Sequence, residues 1–350
     1  MDARAHERGS AKPFRLVLSV PPRWRAPLLV LGFASLAFGI AGGLVRLGAA
    51  IPAPAGAIAL HGALMVSGFL GTVIGLERAV ALGRRWAYAA PLASGLGGLC
   101  LVLGFAAPGF ALLALAAALL VAASLAVLAR QPSLEIATLA TGAIAWLAGN
   151  LSLYAGLPAV PWWIAFFALT IGGERLELSR YLRRGAFARG SFVLLAAALL
   201  ATPVFPRVMG LVLVMLALWL FAYDLARVTA RQRGLPRYIA VCLLSGYAWL
   251  AFGGALLAAA VAYDAALHAI FVGFVFSMVF GHAPVILPAV LRVPLLYHPA
   301  LYVPLALLHA SLAIRVFVSA AAGAWGNAAA IALFIVTGAL LASGRRRRRN

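Results

Sequence analysis

Acidic side chains are the scarcest chemistry in this chain. Eight Asp and Glu stand among 350 residues, against 28 Lys and Arg, of which Lys12 is the one lysine. Only 10% of the residues are charged and 65% are hydrophobic, for a mean hydropathy of +1.04, so there is too little charge to solvate a soluble domain and a cytosolic enzyme is excluded. Cysteine is nearly absent as well. Cys100 and Cys242 sit alone in apolar segments without a CxxC or CxxCH motif, which excludes a disulfide framework and covalent haem attachment and leaves packing. Histidine is missing altogether between His61 and His268.

What the chain has in quantity is apolar length. A hydrocarbon layer of roughly 30 Å takes about 20 helical residues. Turn residues and charges divide the chain into helices near 27–49, 56–83, 87–106, 109–129, 135–156, 161–182, 190–205, 207–228, 238–262, 264–291, 299–321 and 323–343. The expected fold is all-α, a polytopic transmembrane bundle of about twelve helices. A basic leader covers 1–26, a single transmembrane domain 27–343 and an Arg-rich tail 344–350. The first apolar segment is too long for the core of a secretory signal and has no cleavage pattern, so it reads as a retained first helix.

The net charge of +20 would suggest nucleic acid in a soluble protein, but here the basic residues are interleaved with the spans. With the amino terminus cytoplasmic, 25 of them fall on the cytoplasmic side and only Arg46, Arg207 and Arg315 on the other. That asymmetry predicts a cytoplasmic (inner) membrane protein with both termini inside, the lipid bilayer as its partner and no nucleic acid. Helices two and six end on GLERAVALGRR and GGERLELSRYLRR, with Glu77-Arg78 and Glu174-Arg175 97 residues apart, and helix ten ends on Arg292. A recurrence every four helices suggests three four-helix units.

Ionisable groups inside hydrocarbon are costly, which makes each a functional candidate. In HGALMVSGFLGTVIGLERAVAL, residues 61–82, Met65, Gly68 and Thr72 lie within about 40° of His61 on an α-helix, a face against which a flat macrocycle could lie. Gly71 and Gly75, in GxxxG spacing, read as close helix packing. His268, near the same end of helix ten, is at a depth similar to that of His61; two neutral imidazoles on different helices at one depth suit the axial positions of haem iron. Asp264 either orients the His268 ring or caps the helix. His282, about four turns deeper, and His309 on helix eleven are candidates for a second metal, copper or another haem, while His298 reads as interfacial. Glu77, Arg78, Glu174 and Arg175 are either snorkelling ion pairs or groups that anchor propionates, stabilise an anion or pass protons.

HGALM at the start of helix two and HAIFVGFVFSM…GHAP in helix ten resemble the NnrS family of haem- and copper-containing membrane proteins associated with nitric oxide metabolism. More distantly, the same helices resemble the low-spin haem helices of haem-copper oxidase catalytic subunits, whose bundle is also built of three four-helix units. The resemblance implies haem b, possible copper chemistry, nitric oxide as a partner, a quinone or cytochrome as redox partner, oxidoreductase activity if the protein is an enzyme, and His61 and His268 as haem ligands. The absence of His between 61 and 268 argues against an oxygen-reducing dinuclear centre. The same residues allow a reading from another class: a secondary transporter without haem, in which His, Glu and Arg form a proton or anion pathway beside Pro284 and Pro288.

Overall fold

The computed structural model describes residues 20–178, 185–293 and 297–343. Most of the basic leader, Arg180, Arg183, Arg184 and the Arg-rich tail lie outside the described residues. Among the described residues the regular structure is helix alone. The main elements are α1 (Pro22–Arg46), α2 (His61–Leu82), α3 (Ala89–Val102), α4 (Ala106–Leu128), α5 (Leu134–Tyr154), α6 (Val160–Leu178), α7 (Ala186–Ala201), α8 (Pro206–Tyr223), α9 (Leu235–Ala259), α10 (Tyr263–Leu291), α11 (Pro299–Phe317) and α12 (Ala320–Ser343).

These helices begin and stop where the local chemistry says they should. Pro22 and Pro206 occupy first turns, where a missing N–H costs nothing. Ser133 Oγ accepts the Ile136 N–H at 3.3 Å to cap α5. Gly83, at φ +66°, ends α2 in the left-handed conformation that only glycine adopts cheaply. Helix occupies each of the twelve expected stretches. Among the described residues, nine helices are long and apolar enough to cross a bilayer, which marks a multi-pass membrane protein. α3 and α7 are shorter, at 14 and 16 residues, and α6 carries Glu174, Arg175 and Glu177.

Burial locates the centre. α2 and α10 bury 67% and 61% of their most apolar windows, against 22% for α12, and α6 is buried without a break from Trp163 to Gly173. The three innermost helices are therefore α2, α6 and α10, four apart in the chain, with the remaining helices around them. Phe69 of α2 stacks on Phe276 of α10 at 6.1 Å, and Phe167 of α6 meets Phe271 of α10 edge-on at 6.0 Å.

Neither α2 nor α10 is an α-helix throughout. Both widen into a π-helix just after a histidine, at Leu64–Gly71 following His61 and at Ala269–Phe276 following His268. Both wide turns hold a Gly-Phe pair, and both close on a hydroxyl that bonds back four residues: Thr72 Oγ1 donates to the Gly68 carbonyl at 2.7 Å and Ser277 Oγ to the Gly273 carbonyl at 2.5 Å. Turns with i→i+5 bonds are uncommon and concentrate at functional sites. They also rotate less per residue than the 100° on which the facial placement of Gly68 rests.

In α2 the wide turn is braced from outside by a buried polar network. Asn150 Oδ1 accepts from Ser67 Oγ at 2.7 Å and from Trp163 Nε1 at 3.2 Å, while its Nδ2 donates to the Leu113 carbonyl at 2.9 Å. Ser94 Oγ donates to the Ser67 carbonyl at 2.5 Å, and Trp146 Nε1 to Ser67 Oγ at 3.0 Å. Gly71 touches the Trp146 ring and Gly75 lies beside Pro91, so this pair is packed closely, as its spacing predicts.

Candidate functional site

Two cavities lie end to end along the seam between α2 and α10. The first, about 410 Å³, is lined by residues that include His61, Met65, Asp264 and His268. Four residues singled out in the sequence therefore share one space. Gly68 does not belong to it: the wide turn carries it round to face α1 and α3, where a β-carbon would meet Ser35 Oγ at 2.7 Å and the Gly98 Cα at 3.4 Å.

Each imidazole is held by its Nδ1. For His61, Nδ1 lies 2.6 Å from the Gly39 carbonyl, and for His268, 2.8 Å from the Asp264 carbonyl. A carbonyl only accepts, so in the neutral imidazoles Nδ1 carries the hydrogen; at His268 the 2.8 Å carbonyl and 3.3 Å carboxylate contacts outweigh the 3.4 Å approach of Arg315 NH2 to the same atom, and both Nε2 atoms keep a lone pair. This is the form in which histidine ligates a metal while its other nitrogen is oriented by the protein. Gly43 supports the first ring from behind, since a β-carbon there would stand 2.9 Å from His61 Cε1.

Asp264 does not cap its helix. Ala262 is the cap residue, whereas the Asp264 carboxylate lies 3.3 Å from His268 Nδ1 and pairs with Arg315 at 3.0 Å, in keeping with an orienting role. Arg315 also donates to the Ala320 carbonyl at 3.2 Å, and Arg46 reaches the Ile58 carbonyl at 3.5 Å. Both arginines line the histidine cavity. Sequence reasoning overlooked them, although a signal was present: they are two of the three basic residues that fall against the charge asymmetry.

Among the described residues, no three His, Cys, Asp or Glu stand together as a metal held by side chains alone requires. Two imidazoles suffice where a macrocycle supplies the remaining ligands. The residues fit such a group: two Nε2 lone pairs on one cavity, apolar walls at Met65, Phe271 and Ile331 for a porphyrin face, and Arg46 and Arg315 for its carboxylates.

The second cavity, about 340 Å³, is lined by Glu77, Glu174 and His282 in otherwise apolar walls. The two Glu-Arg pairs thus divide. Glu77 and Glu174 line the cavity, while neither Arg78 nor Arg175 is among the described residues lining either space. Arg175 is buried, with its Nε 3.9 Å from Asp224 Oδ2 and its NH2 donating to His282 Nε2 at 3.2 Å. Asp224 is fixed in turn by Tyr247, whose hydroxyl donates at 2.6 Å, and by the Ala226 N–H at 2.7 Å.

His282 donates from Nδ1 to the Met278 carbonyl at 2.7 Å and so spends both nitrogens within the protein. His309 accepts from Trp249 Nε1 at 3.0 Å. No hydrogen bond joins the two histidines among the described residues. Leu70, Phe276 and Ile331 line both cavities, so a single layer of side chains separates them.

Comparison with curated proteins gives no match, and comparison with solved structures gives none. A family model described as a domain of unknown function, DUF8744, matches residues 25–343, and the chain belongs to that family.

Proposed function

We propose that this is a haem b-binding integral membrane protein, similar to the NnrS family, that passes electrons within the cytoplasmic membrane or handles nitric oxide there. Its topology on this reading is twelve crossings with both termini cytoplasmic. The observation that carries the proposal is the pair of imidazoles on one cavity, each fixed by its Nδ1 so that Nε2 is left to bind. Haem iron, when bound, supplies reversible one-electron chemistry.

The chain's own residues do the rest. His61 and His268 hold the iron from two helices, and the carbonyls of Gly39 and Asp264 set the planes of the rings. Arg46 and Arg315 bind the carboxylates of the macrocycle, and Met65, Phe271 and Ile331 keep water from its face. Two histidine ligands would leave a haem iron no open position, so the donor set favours electron transfer; nitric oxide chemistry would require one histidine to leave.

The test is an absorption spectrum of the purified protein, oxidised and dithionite-reduced. It should show a Soret band and sharp α and β bands that are lost in His61→Ala and in His268→Ala. A colourless, stable preparation would overturn the haem reading. It would favour a transporter instead, for which the buried Arg175–Asp224–His282 cluster is the relevant observation.

A further inference from the structure

We propose that the second cavity is a binding site for a membrane-dissolved hydroquinone, held by its hydroxyl groups between Glu77 and Glu174. Both residues line the cavity, and among the described residues neither carboxyl group takes part in a hydrogen bond or an ion pair. A carboxylate out of water needs donors. His282 cannot supply them, because its two nitrogens are committed to Arg175 and to the Met278 carbonyl. A ligand that brings two hydroxyl donors on an apolar body satisfies both acids and fills the remaining space.

The walls match that body. About 340 Å³ takes one substituted aromatic ring and the start of a tail, and the lining outside the acids, His282 and Thr170 is apolar, with Phe33, Phe69 and Phe280 among it. Access is lateral. The α12 side of the cavity includes Ile335, which is 40% exposed on the least buried of the apolar helices, so a molecule dissolved in the bilayer reaches the cavity without crossing water.

The choice of a hydroquinone over another donor-headed lipid rests on the haem reading of the neighbouring cavity, from which this one is separated by Leu70, Phe276 and Ile331. A lipid-soluble electron donor is the ligand that gives the two adjoining spaces a common use. Two ionised carboxylates also discriminate between redox forms: oxidation turns hydroxyl donors into carbonyl acceptors, to which a carboxylate has no hydrogen to donate.

The experiment titrates the protein, in phosphatidylcholine nanodiscs, calorimetrically with a decyl-substituted dimethoxymethyl-hydroquinone, its quinone form and decylamine. The hydroquinone should bind saturably and the quinone at least about tenfold more weakly. Glu77→Gln combined with Glu174→Gln should weaken hydroquinone binding by about tenfold. Ile335→Trp, which fills the mouth from an exposed position and leaves both acids in place, should weaken it as much and guards against a double variant that fails to fold. Equal binding of the two redox forms, decylamine binding as tightly as the hydroquinone, or undiminished binding in Ile335→Trp would each overturn the proposal. The absorption spectrum of the same sample reports the haem separately. A colourless protein that binds the hydroquinone ends the haem reading and keeps the site; a haem protein that does not bind it ends the site alone.

Discussion

Gly43→Ala is the smallest change that should unseat the proposed haem. The new β-carbon would stand 2.9 Å from His61 Cε1 and 3.0 Å from its Nδ1, where carbon contacts settle near 3.5–4.0 Å. The imidazole must therefore move by roughly 0.6 Å or more, and it is already held by a short bond, 2.6 Å, to the Gly39 carbonyl. Overpacking of this size costs about 1–3 kcal/mol and a weakened hydrogen bond about 1 kcal/mol more. At 1.4 kcal/mol per tenfold, a total of about 2–4 kcal/mol lowers haem affinity roughly 30- to 700-fold. The assay is titration of haem into protein produced without it, followed by Soret absorbance, with thermal unfolding as the check on fold. Gly190→Ala, where a β-carbon meets nothing within 4 Å, is the control and should leave haem affinity unchanged. Unchanged affinity in Gly43→Ala would refute both the placement of His61 and its role.

Replacing Arg315 with Gln leaves the Asp264 carboxylate uncompensated beside the histidine cavity, so the reduction potential should fall by tens of millivolts in a redox titration, with a smaller fall for Arg46→Gln. Asn150→Leu strands the Trp163 N–H and the Ser67 hydroxyl hydrogen and should cost about 1–3 kcal/mol. A thiol-reactive dye that reports exposure of buried Cys242 on heating would register this as a fall in melting temperature, and an unchanged melting curve would contradict the bracing role of the network. Asp224→Asn removes the carboxylate 3.9 Å from buried Arg175 and should destabilise the protein by about 3 kcal/mol, well beyond Tyr247→Phe at about 1 kcal/mol, in the same assay.

Which parts of this architecture can be read from the amino acids follows from the range of the forces involved. Helix positions were legible because bilayer thickness and the turn residues Gly83, Pro22 and Pro206 act locally. That His61 and His268 could meet was legible from their equal depth, which needs only topology. The orientation of Gly68 was not. It depends on a π-turn stabilised by the Thr72 hydroxyl from within and by Ser94, Trp146 and Asn150 from two other helices, and nothing in residues 61–72 alone announces those partners. Arg175 likewise read as one half of a Glu-Arg pair because its partners, Asp224 and His282, are about 50 and 107 residues away in sequence. Arg46 and Arg315 carried a signal in their rarity on one side of the bundle, but charge counting assigned them to topology and went no further.

The scarcity of charge gains meaning from where the few charges ended up. Arg46 and Arg315 outnumber Asp264 at the His61 cavity, while Glu77 and Glu174 line the other without a basic residue, with Leu70, Phe276 and Ile331 between them and no charged residue lining both. Opposite linings select opposite ligands: an anionic edge at one end and a hydrogen-bond donor at the other. An ion driven from one cavity to the other would have to leave its counter-charges and cross an apolar layer, at a cost of many kcal/mol in a low-dielectric interior. An electron need not do so, because it crosses such a layer without a solvation shell, and the stacked Phe69–Phe276 pair stands at that boundary. For that reason the arrangement suits coupled binding sites better than an ion pathway. Replacing Leu70 with Asp separates the two cases: a charge in the septum should disrupt both cavities if they work as closed sites, and should raise ion flux into proteoliposomes if they form a continuous path.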